Sequence, residues 1–221
     1  MKALIVAGTH SGCGKTTLSL GLMAALCRRG LAVQGFKVGP DFIDPGHHEA
    51  VTGRPSHNLD GWMFGLTEAE AQAEVRACFQ RHAPGTATPG VTGTGDATGD
   101  TGAADVAIIE GAMGLFDGLS GQDDAGSTAQ IARWLDLPVL LVLDCRGLAR
   151  SAAPLFAGFR DFDPHLRVAA ALCNRVGGPG HVEMLGQALA GLPDPPASFF
   201  LPRREGLSLP SRHLGLVTAQ D

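Results

Sequence analysis

Residues 1–17 read MKALIVAGTHSGCGKTT, and the architecture of the chain follows from them. The apolar run over residues 3–7 predicts a buried strand. A glycine-rich turn over residues 8–14 then leads through Lys-Thr-Thr into good helix formers over residues 18–26. A strand, a glycine turn, Gly-Lys-Thr and a helix, in that order, form a phosphate-binding loop. Glycines let backbone N–H groups curl around anionic oxygens, and the helix N-terminus adds positive charge.

The loop departs from the strict pattern at one position. That pattern places a glycine where this chain has Thr9, while Gly8 lies one residue earlier and Gly12 is additional. A glycine turn without a ligand is the alternative, which the flanking strand, helix and GKTT sequence disfavour. Lys15 is expected to reach the β- and γ-phosphates, and the Thr16 hydroxyl to ligate Mg²⁺. The residues predicted to contact the nucleotide are Thr9, His10, Ser11, Gly12, Cys13, Gly14, Lys15, Thr16 and Thr17.

The composition narrows the class of protein. A chain of 221 residues suits one large domain or a domain and a half, and 44% hydrophobic residues can form a core. The net charge of −5 argues against a nucleic-acid partner. No apolar run reaches the roughly 18 residues of a membrane span, and no signal peptide is evident. The five cysteines lack CxxC spacing, which indicates reduced thiols and predicts a cytoplasmic protein.

A second informative stretch, FKVGPDFIDPGHH, spans residues 36–48 at the end of the next predicted strand. Ligands of open α/β sheets bind beyond the carboxyl ends of the strands. Lys37, Asp41 and Asp44 are therefore expected beside the phosphate loop. Two carboxylates three residues apart can hold Mg²⁺, and a turn in which aspartate makes local hydrogen bonds is the equally weighted alternative.

His47 and His48, at the end of the same stretch, are predicted to be polar loop residues rather than metal ligands. Residues 58–63 are predicted to form a loop that meets an apolar segment. Thr67 is predicted to begin a helix through a capping box with Glu70.

A third stretch, IEGAMGLFDG over residues 109–118, ends a short apolar strand. An acid at the end of a strand that follows a phosphate loop positions Mg²⁺, and Glu110 takes that place. A glutamate that caps a turn is the alternative. Asp117 lies further out, where a substrate could be met. Residues 126–128, Gly-Ser-Thr, are predicted to begin a helix whose N-terminus can face an anion.

The remaining pattern alternates strands and helices, which predicts an α/β fold with a doubly wound, mostly parallel sheet. Asn174 follows one of these strands and offers the donor and acceptor that an adenine edge requires; a plain turn asparagine is the equally weighted alternative. Residues 83–104, rich in Gly, Thr, Ala and Pro, predict a flexible surface insertion. The domain is predicted to span residues 1–205, and residues 206–221 to be an exit linker.

Six stretches together resemble the ATP-binding synthase domain of the cobyrinic acid a,c-diamide synthase family. They are GTHSGCGKTT, KVGPDFIDPGHH, NLDGWM, IEGAMGLFDG, CNRVGG and LPSRHLGLV. KVGPDFIDPGHH is the specific piece, because a phosphate loop alone would indicate only the superfamily that includes dethiobiotin synthetase and the MinD/ParA ATPases. The resemblance covers nearly the whole chain except residues 83–104, and it implies a dethiobiotin synthetase-like P-loop NTPase fold.

The resemblance implies an ATP- and Mg²⁺-dependent amidoligase that acts on corrinoid carboxylates in cobalamin biosynthesis. Phosphoryl transfer would make an acyl phosphate, which ammonia would then attack. The implied catalytic residues are Lys15, Lys37, Asp41, Asp44 and Asp117. The implied metal ligands are Thr16, Asp44 and Glu110. The implied substrate contacts are Asp41, Asp117, Ser127 and Thr128, and Asn174 would contact adenine.

The family normally carries a second, class I glutaminase domain with a cysteine nucleophile in a strand–elbow–helix turn. None of the five cysteines lies in such a turn. We therefore expect a truncated chain or one half of a split enzyme, which uses free ammonia and, by resemblance, forms a homodimer. The alternatives are cobyric acid synthase, nickel-sirohydrochlorin a,c-diamide synthase, dethiobiotin synthetase and a MinD/ParA-type switch. The switch would require a signature lysine where this chain has His10, and a basic or amphipathic surface segment.

Overall fold

The computed structural model describes residues 2–63, 67–84 and 103–204, in which seven strands and six helices alternate. The strands are β1 (Ala3–Gly8), β2 (Val33–Val38), β3 (His57–Leu59), β4 (Val106–Glu110), β5 (Val139–Asp144), β6 (Val168–Val176) and β7 (Ala197–Pro202). The helices are α1 (Lys15–Arg28), α2 (Ile43–Thr52), α3 (Glu68–His82), α4 (Thr128–Leu135), α5 (Ala152–Asp161) and α6 (Pro179–Ala190).

The strands form one parallel sheet in the order β3-β2-β4-β1-β5-β6-β7. The chain leaves β1 toward one edge, returns through β4, and then builds the other half from β5 onward. The prediction of a doubly wound parallel sheet is therefore confirmed. Helices α1 and α2 pack on one face, and α3 to α6 pack on the other. The strand order reverses beside β1, which is where such sheets bind ligands.

Helix α2 is the main difference from the sequence prediction. Residues 43–52 form a helix where a loop was expected, so the loop prediction for His47 and His48 is wrong. Pro45 is compatible with this helix because it lies in the first turn, where backbone N–H groups have no partner within the helix. The predicted loop near residue 58 likewise contains the short strand β3, while the capping box of Thr67 and Glu70 is confirmed.

Two predicted segments fall largely outside the described residues. Of the predicted insertion, residues 85–102 lie outside them, and the flanking Ala83 and Ala104 are buried in the structure. The predicted exit linker, residues 206–221, also lies outside them. Across the described parts of the chain, no helix has the length and apolar character needed to cross a membrane.

A histidine pair links the edge strand β3 to the end of α3. The rings of His57 and His82 stack with their centroids 3.7 Å apart. Burial, with the nearby His82 and Arg81 charges, lowers the pKa of His57 to about 4. The folded chain thus holds the proton less tightly than the unfolded chain. The contribution of His57 to stability is therefore lost as the pH falls from about 6.5 toward 4.

We expect His57→Phe to reduce the acid sensitivity of the fold, because phenylalanine keeps a ring against His82 but does not titrate. Between pH 7 and pH 4.5, the native chain should lose about 1–2 kcal/mol more unfolding free energy than the variant. Urea unfolding at the two pH values measures this difference. His165→Phe, at an exposed position, is the control and should behave as the native chain. Equal losses in the native chain and the His57 variant would contradict the assignment.

Candidate functional site

A cavity of about 820 Å³ opens at the carboxyl ends of β1, β2 and β4. The phosphate loop and the segment from Lys37 to Asp44 both line it. Residues 110–113, the last residue of β4 and the three that follow it, also line the cavity. The cavity therefore occupies the crevice that the sheet topology predicts for a ligand, and it brings together the three stretches that the sequence singled out.

The phosphate loop has the backbone that anion binding requires. Helix α1 begins at Lys15, three residues earlier than predicted, so its N-terminus points into the loop. Gly12 and Gly14 have φ angles of 81° and 105°, in the left-handed region that favours glycine. A Cβ on Gly8 would collide with Cys13 Sγ. Gly8 thus serves close packing beneath the loop although it falls outside the strict motif.

Lys15 lies almost buried at the cavity wall, with 7% of its surface exposed. Its Nζ donates to the backbone carbonyl of His10 at 3.3 Å and to that of Met113. Burial lowers the pKa of the Lys15 ammonium. Met113, which holds the second carbonyl in place, is a non-glycine residue with a φ of 45°. Strained backbone of this kind concentrates at functional sites.

Glu110 is fully buried and lies at the centre of the site. Its Oε1 accepts hydrogen bonds from Thr16 Oγ1 at 2.6 Å and Lys37 Nζ at 3.0 Å, and its Oε2 lies 2.9 Å from His48 Nε2. Burial raises the pKa of this carboxyl. The hydrogen bond from His48, the charge of Lys37 and the hydrogen bond from Thr16 together outweigh burial and hold the pKa well below its usual range. Glu110 is therefore a carboxylate.

Lys37 joins the two carboxylates of the site. Its Nζ lies 2.7 Å from Asp44 Oδ2 and 3.0 Å from Glu110 Oε1, and it donates to the Gly111 carbonyl at 3.2 Å. Burial lowers the pKa of Lys37, but the charges of Glu110 and Asp44 raise it further than burial lowers it. The sheet produces this contact directly, since Lys37 on β2 and Glu110 on β4 are register partners.

The oxygen donors of the site suit magnesium. Thr16 and Glu110 offer a hydroxyl and a carboxylate whose oxygens lie 2.6 Å apart, and Asp44 adds a second carboxylate across Lys37. Mg²⁺ in nucleotide sites takes one or two protein oxygens, with phosphates and water completing its shell. Among the described residues no group of three or more His, Cys, Asp or Glu side chains forms a metal cage, and a nucleotide-borne Mg²⁺ requires none.

Asp41 and Asp117 have different positions relative to the cavity. Asp41 lines it, and its Oδ1 accepts from the backbone N–H groups of Ile43 at 2.8 Å and Asp44 at 3.2 Å, at the start of α2. Asp117 is exposed, and its Oδ2 accepts from Gly114 N–H at 2.8 Å. The structure thus brings Asp41 to the cavity. It places Asp117 in the turn that follows residues 110–113.

Asn174 lies in β6 and supports the phosphate loop. Its Nδ2 donates to the Cys13 carbonyl at 2.9 Å, and its Oδ1 accepts from Arg175 N–H at 2.9 Å. A Cβ on Gly14 would collide with this amide. The side chain predicted to contact adenine is therefore held against the loop, and adenine contact stays a prediction.

Ser127 and Thr128, predicted to bind a substrate carboxylate, are both fully buried. Ser127 Oγ caps α4 by accepting from Gln130 N–H at 3.1 Å. Thr128 Oγ1 accepts from Ala112 N–H at 3.0 Å and donates to the Ala112 carbonyl at 3.2 Å. Their hydroxyls thus hold backbone rather than face the cavity, and these positions do not support the carboxylate prediction.

We expect Ser127→Ala to lower the unfolding free energy by about 1 kcal/mol, the usual contribution of an N-cap side chain, and to leave substrate KM unchanged. Chemical unfolding and steady-state kinetics measure the two effects. Ser151→Ala is the matched control, because Ser151 is the N-cap residue of α5 but makes no capping hydrogen bond; it should change stability by only a few tenths of a kcal/mol. A raised KM in the Ser127 variant would restore the carboxylate-binding role.

Sequence reasoning missed His48 and Ser56. His48 has no exposed surface and lies 3.0 Å from Ser56 Oγ through its Nδ1. Asp44 and His48 are four residues apart, and they are the two buried residues of α2. This helical spacing, together with a proline in the first turn, is the signal that could have identified the helix and its buried histidine.

The sheet order, the phosphate loop and the buried acid at the end of β4 define a P-loop nucleotide-binding protein. The chain belongs to the CobQ/CobB/MinD/ParA nucleotide binding domain family, whose pattern it matches over residues 4–217.

Three similar curated proteins carry the same name, cobyrinate a,c-diamide synthase. The chain is 50% identical over 216 residues to a cobyrinate a,c-diamide synthase of Syntrophotalea carbinolica, covering 98% of this chain and 42% of the relative. It is 45% identical over 219 residues to one from a Synechococcus species, covering 99% of this chain and 42% of that relative. It is 40% identical to one from Listeria innocua, and this alignment covers 100% of this chain and 44% of that relative. The chain therefore spans less than half the length of these relatives.

Proposed function

We propose that the chain catalyses the ATP-dependent amidation of the a and c carboxylates of cobyrinic or hydrogenobyrinic acid, a step of cobalamin biosynthesis. The observation that carries this proposal is the cavity at the phosphate loop. Its lining includes two buried lysines, Lys15 and Lys37, and the Thr16–Glu110 oxygen pair. The names of the relatives supply the substrate. Five free cysteines agree with a cytoplasmic setting.

The chemistry requires activation of a carboxylate, which is a poor electrophile. A substrate carboxylate oxygen attacks the γ-phosphorus of ATP, and ADP leaves with the electrons of the broken P–O bond. Ammonia then attacks the carbonyl carbon of the acyl phosphate, inorganic phosphate departs, and a proton is lost from nitrogen. Lys15 and the loop N–H groups would bind the β- and γ-phosphates, and Lys37 would stabilise negative charge on the transferred group.

Magnesium would be held by Thr16 and Glu110, with Asp44 as a further carboxylate. When bound it supplies charge neutralisation between the phosphates. Asp41, at the cavity wall, and Asp117, in the neighbouring turn, are proposed to meet the corrinoid side chains or the incoming ammonia. Asn174 is proposed to approach adenine from beneath the loop.

Ammonia is proposed to enter from solution or from a class I glutaminase domain or subunit, and the chain is proposed not to hydrolyse glutamine by itself. The placement of its cysteines supports this. Cys13 is buried in the phosphate loop, Cys145 is buried just beyond the end of β5, and Cys173 is buried within β6. We further propose a homodimer, on the family resemblance, which light scattering in solution would test.

The deciding experiment combines the chain with Mg-ATP, an ammonium salt and cobyrinic acid, and follows ADP and product mass together. Monoamide and then diamide in step with ADP would support the proposal. Parallel reactions with nickel-sirohydrochlorin, and with diaminopelargonic acid plus bicarbonate, test the related amidase and dethiobiotin synthetase activities. ATP turnover without any amide would instead favour a MinD/ParA-type switch. Glutamine-dependent amide formation by the chain alone would contradict the ammonia proposal.

A further inference from the structure

His48 fills a space that the sheet reserves for it. The residue lies on α2, has no exposed surface and packs over β2. A Cβ on Gly35 of β2 would lie 3.0 Å from the His48 Cβ and 3.3 Å from its ring. Glycine at position 35 therefore lets the imidazole approach the strand closely enough to reach the next strand, β4, which carries Glu110.

The two nitrogens of the His48 ring have different partners. Nε2 lies 2.9 Å from Glu110 Oε2, and Nδ1 lies 3.0 Å from Ser56 Oγ. Because the ionised Glu110 can only accept hydrogen bonds, Nε2 carries the proton of that contact. Ser56, which precedes β3, holds the opposite edge of the ring. The imidazole is thus fixed at both ends and cannot turn away from the carboxylate without losing a buried hydrogen bond.

The consequence falls on the other oxygen of Glu110. With Oε2 held by His48, Oε1 is the oxygen that contacts Thr16 and Lys37 at the cavity wall. We propose that His48, oriented by Ser56, is the positioning residue that fixes the Glu110 carboxylate so that Oε1 is presented to Thr16 and to nucleotide-bound Mg²⁺. The assignment rests on the proposed function in one respect, the binding of Mg-ATP in this cavity.

Two amide variants separate positioning from packing. In His48→Gln the side-chain nitrogen can reach the place of Nε2 and still donate to Glu110. In His48→Asn the shorter amide reaches only the place of Nδ1, near Ser56, and leaves Glu110 Oε2 without its donor. Both variants are polar, neutral and smaller than histidine, so a role limited to filling the space beside Gly35 predicts lower stability, most of all for the shorter asparagine, but no change in Mg²⁺ dependence.

The measurement is the Mg²⁺ dependence of binding of a fluorescent ATP analogue, which requires neither corrinoid nor turnover. We expect His48→Asn to raise the Mg²⁺ concentration for half-maximal binding about 10–100-fold, the usual effect of removing a hydrogen-bond partner of a metal ligand. His48→Gln should remain within about threefold of the native chain. Thermal unfolding confirms that both variants fold, and His165→Asn, at an exposed position, is the surface control.

Each outcome decides the assignment. A selective loss in His48→Asn supports it. Equal Mg²⁺ dependence in the two variants overturns it and leaves the proposed function intact, because nucleotide binding is still observed. If the native chain binds nucleotide without responding to Mg²⁺, the assignment fails together with the metal part of the proposed function. If the native chain binds no nucleotide, the assignment fails together with the ATP-dependent function itself.

Discussion

Lys15→Met is expected to abolish ATP-dependent turnover, with kcat reduced by at least about 10²–10³-fold. The Lys15 ammonium contacts only the His10 and Met113 carbonyls among the bonds described for it, so its charge is available to a phosphate that displaces them. Methionine keeps the length and apolar stem of the side chain but provides no charge where the transferred phosphoryl group accumulates it. ADP release in the presence of substrate and ammonium measures the effect.

The control is Lys2→Met. The sequence has three lysines, and Lys2 is the one that does not line the cavity. This variant should retain native turnover. The Lys15 variant should also keep a near-native unfolding midpoint, because no buried carboxylate pairs directly with Lys15 at salt-bridge distance among the described contacts. A Lys15→Met chain with native kcat would show that the phosphate loop is not the site of phosphoryl transfer.

Glu110→Ala is expected to reduce the unfolding free energy by about 3–5 kcal/mol, the cost of breaking a buried ion pair by removing one partner. The change leaves Asp44 as the carboxylate that pairs with the Lys37 ammonium and leaves His48 Nε2 without the Glu110 acceptor, in a region with almost no solvent. Chemical denaturation measures the loss. Glu183→Ala, an exposed glutamate of α6, should change stability by less than about 0.5 kcal/mol.

A double-mutant cycle identifies the cause of this loss. If the cost of Glu110→Ala comes from the unpaired Lys37 charge, Lys37→Met in the same chain should recover part of it, so that the two changes are not additive. Additive losses would mean that the two side chains do not interact in the folded protein. Glu110→Gln, which keeps the volume and one acceptor oxygen, should lose less stability than the alanine variant.

The α/β fold could be predicted from the sequence because strand and helix patterns alternate clearly. The phosphate loop also identifies the strand that precedes it as the first one. Lys37 and Glu110 were predicted at strand ends for the same reason. Their mutual contact was not predictable, since it depends on β4 inserting between β1 and β2, and chain order alone does not reveal that insertion. Long-range strand neighbours are set by packing of the whole sheet rather than by local pattern.

The remaining differences between the prediction and the structure have local causes. Two prolines around residues 40–45 indicated a turn, although a proline in the first helical turn is compatible with α2, and His48 was therefore assigned to a loop. Ser127 was placed correctly at a helix start, but its full burial depends on long-range packing that a local pattern does not show. The sequence identified the capping residue and could not show that its hydroxyl is turned away from the cavity.

The opposite pKa directions of the two cavity lysines bear on covalent chemistry. An amine reacts with acylating reagents and aldehydes only through its unprotonated form. Lys15, whose pKa is lowered, has a larger unprotonated fraction near neutral pH than an ordinary lysine, whereas Lys37, whose pKa is raised, has a smaller one. We therefore expect a reactive group carried into the cavity on a phosphate-like scaffold to form its bond with Lys15 in preference to Lys37.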